Sequence, residues 1–195
     1  MLQAMPIRTF ETDDARWAAE IMERRRQVYA GFSPVFWRPA RGVVDLHARF
    51  IRRLMADGAN VCLRADHGFV IGQARPPECF VDDFAVDDPG SWEDTGRELL
   101  DELWRRMASA AITSVRVVTA KADHDKVAML RAAGLTLAEQ WWVRPLPARP
   151  PGTEAAPGRV SGPGFSGLLG PAPPVYDPGG PVLLVEHSTV TTSRP

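Results

Sequence analysis

Cysteine, tyrosine and net charge are scarce in this sequence, and long apolar runs are absent. The two cysteines, Cys62 and Cys79, have no metal-ligand spacing and lie in strand-like runs, where a free thiol behaves as a small apolar group. Reduced thiols in a cytoplasmic protein are therefore expected. A formal net charge of −1 gives no long-range attraction to nucleic acid or anionic lipid, so neither is expected as a partner. No run approaches the roughly 20 apolar residues of a membrane span, and the beginning of the sequence lacks the apolar core of a signal peptide. What is present is ample core material. With 45% apolar residues in 195, the chain suits one compact domain plus an extension.

Met5 to Phe10 reads as a short strand, with Thr12 and Asp13 as caps for a helix carrying Trp17, Ile21 and Val28 at helical spacing. Gly31 to Pro39 breaks that helix but is loaded with aromatics, Phe32, Phe36 and Trp37 among them, and reads as an ordered loop or substrate-facing lid. Val43, Leu46, Phe50, Ile51 and Leu54 mark a second amphipathic helix, with Gly58 where a left-handed closing residue is expected. His47 lies beside its apolar stripe and is open to a structural or a site role. Asn60 to Ala65 and Phe69 to Ala74 form a hairpin about Asp66-His67-Gly68. Glu78 to Val86 is a further strand whose alternation puts Cys79, Val81, Asp83 and Ala85 on one face and Phe80, Asp82, Phe84 and Val86 on the other. Gly96 to Ala110 reads as a helix with Leu99, Leu100, Leu103, Trp104 and Met107 inward. A strand at Ser114 to Ala120, a helix capped by Asp123 and closed by Gly134, and a strand at Leu137 to Leu146 follow.

Eleven of the 18 prolines fall between Pro145 and Pro181, together with eight glycines, a composition that excludes helix and central strand. The apolar run from Val182 then has strand propensity. The expected organisation is a core over 5–146, a surface excursion over 147–181 and a final strand over 182–190 that completes the core sheet, with 188–195 as a frayed end. That strand could instead pair with a second copy in a swapped homodimer. The fold class is α/β, a mixed, twisted central sheet flanked by helices.

Two stretches carry a family resemblance. FVDDFAVDDPGSWEDTGRELLDELW is similar to the fourth strand, pyrophosphate loop and following helix of the GNAT superfamily of acyl-CoA N-acyltransferases, and DHDKVAMLRAAGL resembles that family's closing helix, with Leu135 in place of Phe. The resemblance covers about 5–146 and the last strand. It implies acetyl-CoA as cosubstrate, with Phe84, Ala85 and Val86 along the pantetheine and the turn from Ser91 to Gly96 under the pyrophosphate, where helix-opening N–H groups receive anions. Asp94, Thr95, Gly96 and Arg97 are the implied contacts there. The turn departs from the family's pattern, since Ser91 replaces an Arg or Gln and Asp94 replaces the first Gly; Asp94 could cap the helix or turn outward. Trp92 reads as a packing residue of the loop rather than a platform for the adenine.

The same resemblance implies direct acetyl transfer to an amine of a small molecule or peptide, with Asp83 as base and Phe32, Phe36 and Trp37 shaping the acceptor region; of Asp82 and Asp83, one is expected to face a polar cleft and the other to pair with a cation, and the sequence leaves open which. The family's tyrosine acid corresponds to Leu130, so a phenol must come from Tyr29 or Tyr176, the only tyrosines. His124 is another candidate proton carrier. The alternative function is a GNAT-fold protein that binds acyl-CoA or a protein partner without turnover.

Overall fold

The computed structural model describes residues 7–109, 111–145, 158–162, 165–170 and 182–188. In chain order the first elements are β1 (Arg8–Thr9), α1 (Asp14–Phe32), α2 (Pro34–Trp37), α3 (Val43–Ala56), β2 (Val61–Ala65), β3 (Gly68–Arg75), β4 (Glu78–Val81) and β5 (Phe84–Val86). A 3₁₀ turn at Pro89–Trp92 leads into α4 (Thr95–Met107), β6 (Ser114–Val117) and α5 (His124–Ala132). These strands form a six-stranded sheet, antiparallel from β1 through β4, with β6 parallel to β4 and β5 on β3. The architecture is mixed α/β, an open mixed sheet flanked by helices. Among the described residues no helix is long and apolar enough to cross a membrane.

Helices cover both faces because each strand alternates two apolar sets. Leu63, Val70, Val81 and Phe84 pack on Leu99, Leu103, Met129 and Leu130 of α4 and α5. Cys62, Phe69, Ile71 and Ala85 pack on Ala15, Ala18, Ala19 and Ile21 of α1 and on Ala48 and Ile51 of α3.

One extra residue bends the strand that joins these two sets. Gln73 pairs with Phe80, yet Val70 pairs with Phe84, so three steps on β3 are matched by four on its neighbour. Asp82 and Asp83 together oppose Ile71, whose N–H donates to the Asp83 carbonyl at 2.8 Å, which is the register of a β-bulge. The strict alternation expected over Glu78 to Val86 is thereby corrected. Phe84 and Val86 share the α4 face with Cys79 and Val81, while Ala85 faces α1.

The final strand also differs from expectation. β7 (Glu139–Pro145), β8 (Gly158–Gly162), β9 (Phe165–Gly170) and β10 (Val182–Ser188) form a separate antiparallel sheet in the order β7-β10-β9-β8. β10 therefore does not complete the core sheet. It pairs with β7 from Val182↔Pro145 to Ser188↔Glu139 and with β9 on its other edge, so both edges are used within the chain. The Pro/Gly stretch supplies β8 and β9 because its prolines cluster on either side of 158–162 and 165–170, leaving two runs able to donate backbone bonds.

Helix boundaries shift as well. α1 continues through Gly31 to Phe32, since Pro34 rather than Gly31 is the residue that cannot extend it, and its buried stripe runs through Ile21, Met22, Arg25, Arg26 and Tyr29 while Val28 is exposed. Phe50 and Trp104 lie toward solvent. Among the described residues the glycines with positive φ are Gly42 and Gly134; Gly134 closes α5 as expected, and Gly58 is not among them. The two thiols sit in the core, where burial pushes Cys62 up to about 12 and Cys79 up to about 11, helped by the Asp83 and Glu78 carboxylates respectively. Neither should react with an aromatic disulfide reagent at pH 8 in the folded protein, and both should react in denaturant; fast native labelling would contradict this burial.

Candidate functional site

The bulge opens a wedge in the sheet. Up to Val81 the strand follows β6, ending with the Val118 N–H on the Val81 carbonyl at 2.8 Å. Beyond Asp83 it follows β3 alone, so β5 and the end of β6 part company. Lys126 of α5 enters the gap, and its Nζ donates to the Phe84 carbonyl at 2.9 Å and the Val118 carbonyl at 3.2 Å. The ammonium also lies 5.0 Å from the Phe84 ring and 5.2 Å from the Trp92 ring. Burial holds its pKa below the ordinary lysine value, against the raising influence of Tyr29 and the two aspartates. A cavity of about 10 Å³ remains, lined by Arg25, Tyr29, Trp37, Asp82, Phe84 and Lys126.

Two buried networks frame this cavity. In the first, His47 Nε2 lies 2.8 Å from Asp83 Oδ1, and Nδ1 lies 2.9 Å from the Arg26 guanidinium. A guanidinium only donates, so Nδ1 accepts and the ring proton sits on Nε2, donated to the carboxylate. Burial would raise Asp83, but the His47 contact and the Arg26 and Lys126 charges hold it below the usual carboxylate range. Asp83 is thus satisfied within the protein, and it is Asp82 that lines the cavity. Asp82 keeps one side open to solvent yet is closely surrounded by protein, and desolvation, with Asp83 next to it, raises its carboxyl to about 6.

In the second network Asp123 forms an ion pair with Arg25, accepts the Tyr29 hydroxyl at 2.5 Å and caps α5 through the Lys126 N–H. Thr119 Oγ1 lies 3.1 Å from the same hydroxyl. Burial pushes the Tyr29 phenol up, but the Lys126 and Arg25 charges bring it below its ordinary value. The Arg25 guanidinium lies over the Tyr29 and Trp92 rings at 5.2 and 5.3 Å.

The expected pyrophosphate turn is built around an indole. Trp92 is fully buried, edge-on to Phe84 at 4.9 Å, and a Cβ at Gly96 would stand 2.6 Å from its ring. Gly96 therefore makes room for Trp92. Asp94 is exposed and its side chain makes no capping bond, so of the two orientations left open it takes the outward one. Arg97 turns away, pairing with Asp101 at 2.8 Å and donating to the Ala132 carbonyl at 3.1 Å. The Thr95 and Gly96 N–H groups remain those of a helix start.

Of Phe32, Phe36 and Trp37, Trp37 alone lines the cavity. Its ring packs on Tyr29 at 5.0 Å and on Phe36 at 4.6 Å; Phe36 continues to Trp141 of β7 at 6.0 Å, and Phe32 is exposed. Leu130 is a core residue and His124 is exposed at the start of α5. Tyr176 lies outside the described residues. Among the described residues no group of three His, Cys, Asp or Glu side chains could hold a metal.

Sequence reasoning missed Arg25, Arg26 and Lys126. A signal was there: the arginines interrupt the stripe between Met22 and Tyr29, and Lys126 stands on the face of Met129 and Leu130. Alternate backbone groups of β5 point away from β3, and among them the Phe84 carbonyl is taken by Lys126.

No family model matches the chain, and none of the curated proteins matches it.

Proposed function

We propose that this protein is an acyl-CoA-dependent N-acyltransferase of the GNAT kind, acting on an amine of a small molecule or peptide. The observation that carries this reading is the wedge: a bulged strand leaves its parallel neighbour and frees a strand edge beside the start of a helix. Acetyl-CoA, when bound, would supply the activated acyl group as a thioester. The β5 edge with its Phe84 carbonyl would hold the pantetheine, and the Thr95 and Gly96 N–H groups would meet the pyrophosphate. Asp82, raised to about 6 and open to solvent on one side, is ionised near neutral pH and suited to take a proton from an incoming ammonium. Tyr29 lines the same cavity, and its hydroxyl, which donates to Asp123 in this structure, would turn from that carboxylate to donate to the departing thiolate, the role that Leu130 cannot fill.

Two measurements test this. Calorimetric titration of acetyl-CoA into the protein should give saturable heat, and no heat would end the proposal. Turnover should fall on the acid side with a midpoint near 6, and Asp82→Asn should lower it by about 10²-fold or more and remove that limb. The same variant carries a stability signature. A carboxyl raised in the folded state favours folding below the ordinary value of 3.8, and that contribution is lost as pH rises to about 6. Asp82→Asn should flatten the wild-type fall in Tm across that window.

A second reading is favoured by Lys126 itself. A protein of the same fold could bind an acyl-CoA or a protein partner without turnover, and acetyl-CoA binding with no transfer to any of a panel of primary amines would select it.

A further inference from the structure

We infer that Lys126 determines what can enter the wedge: its ammonium stands in for a ligand by donating to the Phe84 and Val118 carbonyls, so a ligand binds only by displacing it and must bring a hydrogen-bond donor of its own. This rests on the acyl-CoA reading of the wedge and names what that reading requires of the chain.

The geometry is specific. An ammonium has three N–H donors, and here two go to carbonyls on the two diverging strands, bridging the gap that the bulge opens. The contact therefore closes the wedge as a crosslink between β5 and the end of β6. It leaves only about 10 Å³, room for about one water and far too little for an extended chain. The held state is also costly. Lys126 is 2% exposed, its charge is taken out of water, and the groups facing it are of both signs: Arg25 and Tyr29 from α1, Asp82 and Asp83 from the bulge. A buried ammonium on a flexible four-carbon stem can regain its hydration by swinging outward, which offsets part of the cost of giving up two carbonyl bonds. Those carbonyls must then be satisfied by the newcomer, since buried acceptors left unpaired are penalised. An amide N–H donor on an extended chain meets that demand. A purely hydrocarbon chain of the same width does not.

The test uses three probes on the full chain: acetyl-CoA, S-acetylpantetheine, which has the amide-bearing arm alone, and adenosine 3′,5′-bisphosphate, which lacks that arm. Lys126→Ala should bind the first two at least about tenfold more tightly than wild type and leave the third unchanged within about twofold. Lys126→Met, which keeps the length but not the donor, should gain affinity in the same order and guards against a fold lost in the alanine variant. The sequence has two lysines, Lys121 and Lys126, so Nζ-labelled protein gives two assignable side-chain ammonium signals. Acetyl-CoA should shift only the Lys126 signal, toward that of a hydrated lysine. Wild-type binding with an unmoved Lys126 signal, or equal affinities across the variants, would overturn the inference while the acyl-CoA reading stands. Absence of binding by wild type and both folded variants would overturn both.

Discussion

Asp123→Ala should cost about 3–5 kcal/mol of stability, because it leaves the buried Arg25 guanidinium without its carboxylate. The same carboxylate accepts from Tyr29 and caps α5, so three partners lose it at once. Loss of a cap alone costs about 1 kcal/mol, which separates the effects. Asp123→Asn keeps the cap and an acceptor for Tyr29 but removes the charge, and should fall between alanine and wild type. Urea unfolding at constant m reads the difference. A loss below about 1 kcal/mol for alanine would mean that Arg25 has another way to be satisfied.

Trp92→Ala should cost about 3–5 kcal/mol, since a fully buried indole in contact with Phe84 and Gly96 leaves a large void when removed. Gly96→Ala attacks the same contact from the other side. Its new Cβ would meet the ring at 2.6 Å, and overpacking of this kind costs about 1–3 kcal/mol. The two sites are coupled. In a Trp92→Phe background the smaller ring gives way, so Gly96→Ala should cost less there than in wild type, and a double-mutant cycle measures the difference. Additive effects would mean that the glycine is required for some reason other than the indole.

Much of the sheet was legible. The hairpin about Asp66 and His67, the Asp123 cap and the Gly134 close follow from local rules of turn chemistry and periodicity, and the strand-helix-strand order gave the mixed sheet. The bulge was not legible, for a physical reason. In ECFVDDFAV two acids sit side by side between apolar residues, so the pattern reads equally well with or without a change of face between Val81 and Phe84. The site was hidden in the same way. Arg25, Arg26 and Lys126 look like solvated helix charges until their partners are known, and those partners, Asp123, His47 and the Phe84 carbonyl, are distant in sequence. The second sheet escaped because proline counts over a whole segment conceal the short proline-free runs that become β8 and β9.

The paired aspartates make substitution and deletion different kinds of event at this point of the chain. Exchanging either side chain alters a charge and leaves the backbone path in place. Removing one residue would erase the surplus step opposite Ile71 and return the strand to simple alternation, turning Phe84 and Val86 toward α1 and Ala85 toward the indole of Trp92. Length is thus a constraint of its own here, beside the chemistry of the two carboxylates: a one-residue deletion moves both faces of the sheet, whereas an exchange at 82 or 83 disturbs only the groups that face it.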